Sequence, residues 1–212
     1  MPSVAFESQV ESQVGAQGAQ ERPVWPQSVV TVVGNPRAGS RTAAAAASVA
    51  ELLASELGTP YRIDELIDLV TLAPAIFQGD GAGAEAQSAL ESAIELVSSA
   101  SVIVVATPVY KGSYTGLLKS FLDVLRPSAL AGSVVVPVTV SAAPSHKLLA
   151  DHHLRPVLAE LGASVPVPGV ILEERDLEDL QIVLSSWIRT NAGIIQATTI
   201  ALQPIAEPTP AR

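Results

Sequence analysis

The sequence predicts an α/β domain in which a five-stranded parallel sheet, in the order 2-1-3-4-5, is doubly wound by helices on both faces. Its central β-branched runs are apolar along nearly their whole length instead of at every second position, the pattern of strands buried on both sides. Between these runs lie segments with apolar residues at helical spacing, so strand and helix alternate as crossover connections require. Gly and Pro punctuate the joints.

Val29 to Val33 reads as the first strand, ending at Gly34 and Pro36. Thr42 to Leu57 follows as a helix, with Ala45, Val49, Leu52, Leu53 and Leu57 on one face and Gly58 as its C-cap. Tyr61 to Ile63 is a short second strand. Glu85 to Ser98 repeats at Ala86, Leu90, Ala93, Ile94 and Val97, a helix that feeds the third strand, Val102 to Ala106. Gly116 to Leu125 places Leu117, Leu118, Phe121, Leu122 and Leu125 together, and Pro127 with Gly132 breaks it before the fourth strand, Val134 to Val138. Leu154, Val157, Leu158 and Leu161 mark the next helix, in which Pro156 either kinks the chain or begins a fresh first turn. Val165 to Leu172 supplies the fifth strand, and Asp176 to Gln196 the last helix, through Leu177, Leu180, Leu184, Trp187, Ile188, Ile194 and Ile195. The expected domain is 28–200. Residues 1–27, rich in Gln, Ser, Gly and Ala, and residues 201–212, with three prolines, carry too little large apolar surface to offset ordering and read as flexible tails.

Composition narrows the function. A chain of 212 residues suits one well-buried domain. A formal charge of -9 with scattered Lys and Arg argues against nucleic acid as a partner. No apolar run is long enough to span a bilayer, although 48% of residues are hydrophobic. The absence of cysteine removes thiolate and cysteine-ligated metal chemistry, so redox work would need a bound cofactor. With no basic segment before Arg22, the N-terminus does not read as a secretion signal, and cytoplasmic residence is the expectation.

In a sheet of this order ligands lie beyond the carboxyl ends of the strands, where strand order reverses between strands one and three. Two loops fall there. Gly34-Asn35-Pro36-Arg37-Ala38-Gly39-Ser40-Arg41-Thr42 sets small residues, hydroxyls and two guanidinium groups just ahead of a helix N-terminus, whose unpaired N–H groups suit a phosphate. Ser40 stands where a Walker A loop needs lysine, and no Gly-x-Gly-x-x-Gly follows any predicted strand, so triphosphate and dinucleotide folds lose ground in favour of a terminal monophosphate. Such a turn also serves plain helix capping by Ser40 or Thr42. The second loop, Thr107-Pro108-Val109-Tyr110-Lys111-Gly112-Ser113-Tyr114, brings a Pro-Val-Tyr backbone and an aromatic ring against a flat ligand, or packs merely on its own tyrosines.

These two segments, the second extended as far as Asp123 and joined by His152-His153-Leu154-Arg155-Pro156-Val157-Leu158, resemble the NADPH-dependent FMN reductase family, and within it the flavin reductases of two-component monooxygenases. The likeness covers roughly residues 29 to 172, and 106–123 is its most specific part. It implies a flavodoxin-like fold, bound FMN, hydride transfer from NADPH or NADH to flavin, a homodimer or homotetramer, and a flavin-dependent monooxygenase as recipient of reduced flavin. On this resemblance Arg37, Ser40 and Thr42, with Arg41 beside them, hold the phosphate, and Asn35 stands where the family commonly has serine. Pro108, Val109 and Tyr110 lie along the isoalloxazine ring, with Lys111 and Ser113 at its rim. Val140-Ser141-Ala142 replaces the family's frequent Thr-Gly-Gly at the pyrimidine edge, and the added Cβ atoms suggest a loosely held, exchangeable flavin. His146 matches a family histidine but reads as a local hydrogen-bonding group. His152 and His153, adjacent in a helix, do not face one metal together.

On this resemblance flavin N5 carries the chemistry, and no catalytic side chain is expected. The alternatives are an FMN-dependent quinone, azo or chromate reductase on the same fold, and a non-catalytic electron carrier. Against the carrier stands the lack of tryptophan in either loop, since Trp25 and Trp187 lie elsewhere.

Overall fold

The computed structural model of the chain describes residues 27–142 and 148–203. The expected tails lie outside the described residues except at their inner ends. Gln27 opens the first strand, and Ala201 and Leu202 complete the last helix.

The order is β1 (Gln27–Val33), α1 (Arg41–Leu57), β2 (Tyr61–Asp68), α2 (Leu69–Gln78), α3 (Ala84–Ser99), β3 (Val102–Pro108), α4 (Gly116–Val124), β4 (Val134–Ser141), α5 (Arg155–Glu160), β5 (Val170–Glu173) and α6 (Leu180–Leu202). Short 3₁₀ turns occupy Gly79–Ala82 and Glu174–Leu177, and a π-helical turn covers Ala150–Leu154. All strand pairs are parallel and the sheet runs β2-β1-β3-β4-β5, as the sequence predicts.

Side-chain alternation along the central strands divides two cores. Val102, Val104 and Ala106 of β3 point with Val134, Val136, Val138 and Val140 of β4 toward α1 and α6. Ile103, Val105 and Val135 point the other way, toward α2, α3, α4 and α5, where Leu118 and Phe121 are completely buried. Burying a side chain of that size contributes about 1.5–3 kcal/mol, so these two faces carry most of the fold's hydrophobic stabilisation.

Three elements depart from expectation. β2 extends five residues beyond Ile63 to Asp68, but as the edge strand it leaves Arg62 to Leu66 exposed, so no continuous apolar run announced it. α2 was not anticipated at all: Pro74 sits inside it, and its buried Leu69, Leu72 and Ala75 are too few to set a clear period. β5 is shorter than 165–172 because Pro166 and Pro168 cannot donate ladder hydrogen bonds. There the chain is held instead by Arg155, which donates to the carbonyls of Val165 and Val167 and pairs with Asp151. Pro156 resolves as the start of a fresh α-helical turn after the π segment.

Candidate functional site

Parallel strands end together, so Gly34, Pro108 and Ser141 emerge along one edge of the sheet beside the N-termini of α1 and α4. Gly34 donates to the Ala106 carbonyl at 2.7 Å, continuing the β1–β3 ladder past the strand. Its own carbonyl accepts from the Thr115 hydroxyl at 2.5 Å, and that oxygen also caps α4 by accepting from Leu118 N–H at 3.1 Å. Thr115 N–H donates to Thr107 Oγ1 at 3.2 Å. One buried threonine thereby ties the first loop to the second. The Thr-Gly-Leu-Leu sequence at 115–118 is a recognisable helix start, but its bond to a carbonyl 81 residues earlier has no local signal.

Within the first loop, Asn35 is buried and engaged on both sides. Its Nδ2 donates to Thr42 Oγ1 at 3.0 Å, and its Oδ1 accepts from Arg37 N–H at 3.0 Å. Both residues therefore brace the loop with their side chains, the Asn35 carbonyl forming a turn of the kind short amides favour. Ser40 is the N-cap of α1, accepting from Ala43 N–H at 3.2 Å. Helix geometry leaves the N–H groups of Arg41 and Thr42 without intrahelical carbonyls. Arg37 is exposed at the lip of this turn, and Arg41 pairs with Glu174 at 2.7 Å.

In the second loop, Thr107 and Pro108 belong to β3 rather than to the loop, and Val109 N–H donates to the Val140 carbonyl at 3.1 Å. Tyr110 and Ser113 exchange backbone bonds of 2.9 and 3.1 Å around a tight turn in which Lys111 (φ 52) and Gly112 (φ 75) are both left-handed. Glycine takes that conformation freely, whereas Lys111 is held in it against its steric preference. The turn exposes Tyr110, 43% accessible, and Lys111. Ser113 Oγ shares a 3.2 Å hydrogen bond with His153 Nδ1, which docks the turn on the π segment. Sequence reasoning treated His153 only as an unsuitable metal ligand and missed this contact. π turns of this kind recur at functional sites.

Val140 and Ser141 are the last residues of β4, not a loop. Ser141 is buried in register with Glu173, and Ala142 is exposed beyond it. His146 lies outside the described residues. Trp187 packs against the core face that α1 covers. At the end of β2, burial raises the Asp68 carboxyl above its ordinary pKa while a hydrogen bond from Val70 N–H opposes the shift. Among the described residues no three His, Asp or Glu side chains are grouped to hold a metal ion, and no helix is long and apolar enough to cross a membrane.

The donor set therefore comprises unpaired helix N–H groups, the Arg37 and Arg41 guanidinium groups and a half-exposed hydroxyl, beside an exposed aromatic turn. Its chemistry fits a phosphate joined to a flat ring system.

The sequence model described as NADPH-dependent FMN reductase matches residues 28–176. The FMN reductase (NADPH) of Pseudomonas aeruginosa is 33% identical over 158 residues, spanning 74% of this chain and 83% of that protein. The NADH-dependent FMN reductase SfnE of Pseudomonas putida is 30% identical over 158 residues, 74% of this chain and 82% of the relative. Among solved structures, the apo form of an NADH:FMN oxidoreductase superposes with a TM-score of 0.67 at 30% identity, covering 86% of this chain and 92% of that one.

Proposed function

This chain belongs to the NADPH-dependent FMN reductase family, and from that membership we propose that residues 34–42 and 108–113, with Ser141 and Ala142, form its FMN site. The observation that supports the assignment most is the Thr115–Gly34 bond, which fixes the two loops side by side where strand order reverses. FMN, when bound, supplies the acceptor for hydride from NADPH or NADH and passes the electrons onward.

The chain's own residues bind and orient. Arg37 and Arg41 meet the phosphate with charge, the N–H groups at the start of α1 meet it with aligned donors, and Ser40 adds its hydroxyl at the rim. Asn35 and Thr42 keep the turn in shape for this task. Pro108, Val109 and Tyr110 present backbone and an aromatic face to the ring, with Lys111 and Ser113 at its border. Ser141 and Ala142 limit backbone approach at the remaining edge, which suits a flavin that is exchanged. Positioning of this kind needs no acid–base dyad.

The reading extends to a cytoplasmic reductase that supplies reduced flavin to a partner monooxygenase and self-associates as a dimer or tetramer. At the start of α4, Thr115 is buried against Gly34 and Tyr114 packs on the core of its own chain. Exposed apolar side chains occur elsewhere, among them Ile182 and Ile194 of α6 and Phe77 at the end of α2. Sedimentation at micromolar concentration is expected to give a dimer or larger species, and a monomer would remove self-association from the reading.

A further inference from the structure

Resting on the phosphate assignment above, we infer that Glu174 competes with the FMN phosphate for Arg41 and thereby sets how readily flavin leaves. Arg41 is the first residue of α1, directly after the N-cap Ser40. Its guanidinium does not point into free solvent but meets Glu174 Oε1 at 2.7 Å, a partner 133 residues later on the turn that follows β5. The ion pair thus joins the β5 edge of the sheet to the mouth of the first loop.

Among the described residues Glu174 forms its ion pair with Arg41 and with no other cation. Arg175, the neighbouring cation, bonds to Glu173 at 2.9 Å and approaches Asp176 at 4.0 Å. Glu173 and Asp176 also complete a capping box for the 3₁₀ turn. Glu178 and Asp179 follow, so residues 173–179 carry five carboxylates against one arginine. Nothing else on this turn neutralises Glu174.

The two side chains are 66% and 46% exposed, and a pair so well solvated is cheaply broken. A phosphate at the α1 N-terminus carries more charge than a carboxylate and three acceptor oxygens, so it wins Arg41. Winning it leaves Glu174 unpaired. Each binding event therefore has to break the Arg41–Glu174 pair, and each departure is assisted by its re-formation. Arg41 is a binding residue whose availability Glu174 controls, and among the described residues no carboxylate holds Arg37 in the same way.

Flavin-fluorescence titration of the full-length chain with FMN tests this through affinity alone. Glu174→Gln is expected to tighten binding by about two- to fivefold, chiefly through slower dissociation. Arg41→Met is expected to weaken binding, and adding Glu174→Gln to Arg41→Met to change nothing further, because the competitor then has nothing to withhold. Glu56→Gln, which removes the same charge near the other end of α1, is expected to leave affinity unchanged. The inference is overturned if Glu174→Gln binds FMN no better than the parent, if it helps equally without Arg41, if Arg41→Met binds as well as the parent, or if Glu56→Gln matches its effect. A parent chain that binds no FMN would instead defeat the site assignment itself, before any variant is compared.

Discussion

Replacing Arg37 with alanine is expected to weaken FMN binding by about ten- to hundredfold, the equivalent of roughly 1.5–3 kcal/mol for a charge-assisted hydrogen bond to phosphate. Stability without flavin should be nearly untouched, because the exposed Arg37 side chain packs on nothing that the core requires. The residue's contribution to loop shape is its backbone N–H, which donates to Asn35 Oδ1 and survives the substitution. Loss of affinity with an unchanged unfolding temperature therefore identifies a ligand contact. Parental affinity for FMN in this variant would show that the phosphate lies elsewhere. Comparison with Arg41→Met separates the two arginines: among the described residues no carboxylate pairs with Arg37, whereas Arg41 must first be released from Glu174.

The second large effect falls on stability. Gly34 leaves β1 so close to α4 that a Cβ there would lie 2.5 Å from Leu118 Cβ, nearer than side-chain carbons ever pack. Leu118 is fully buried and its N–H is fixed by Thr115, so α4 cannot move aside without loosening the Thr115–Gly34 bond. Gly34→Ala should cost on the order of 1–3 kcal/mol, a fall of several degrees in unfolding temperature for a domain of this size. FMN affinity should fall with it, since both loops hang on the same hinge of contacts. Leu118→Ala should not rescue the variant, because the obstructing atom is the Cβ that alanine retains. An unaltered melting curve for Gly34→Ala would contradict the close approach of β1 and α4.

Those two residues illustrate what a sequence reveals and what it hides. The central strands were legible because Val102 to Ala106 and Val134 to Val138 are apolar at every position, a pattern that only burial on both faces explains. Edge strand β2 was legible only at its start, since an exposed edge imposes no such pattern. Helix α2 was hidden by Pro74, which signals a break in sequence yet is accommodated in the structure.

Within the candidate site, the first loop was legible as a cluster of Gly, Ser, Thr and Arg and the second as a Pro-Val-Tyr run followed by Lys, Gly and Ser, each after a buried strand. Their internal wiring was not. Asn35 stands in the sequence where the family commonly has serine, and no local signal shows that its amide bridges Thr42 and Arg37 N–H. Thr115, His153 and Glu174 act through partners that lie 81, 40 and 133 residues away, and no spacing rule covers such separations. Local chemistry marks where a site can be, whereas the pairings that shape it arise only when distant strand ends are brought to one edge.

Hydride transfer from a nicotinamide nucleotide to FMN is read most directly by steady-state oxidation of NADPH and of NADH by the purified chain, with and without added FMN. Oxidation of at least one nucleotide is expected to depend on FMN and to saturate with it. No oxidation of either nucleotide with FMN in excess would rule this activity out.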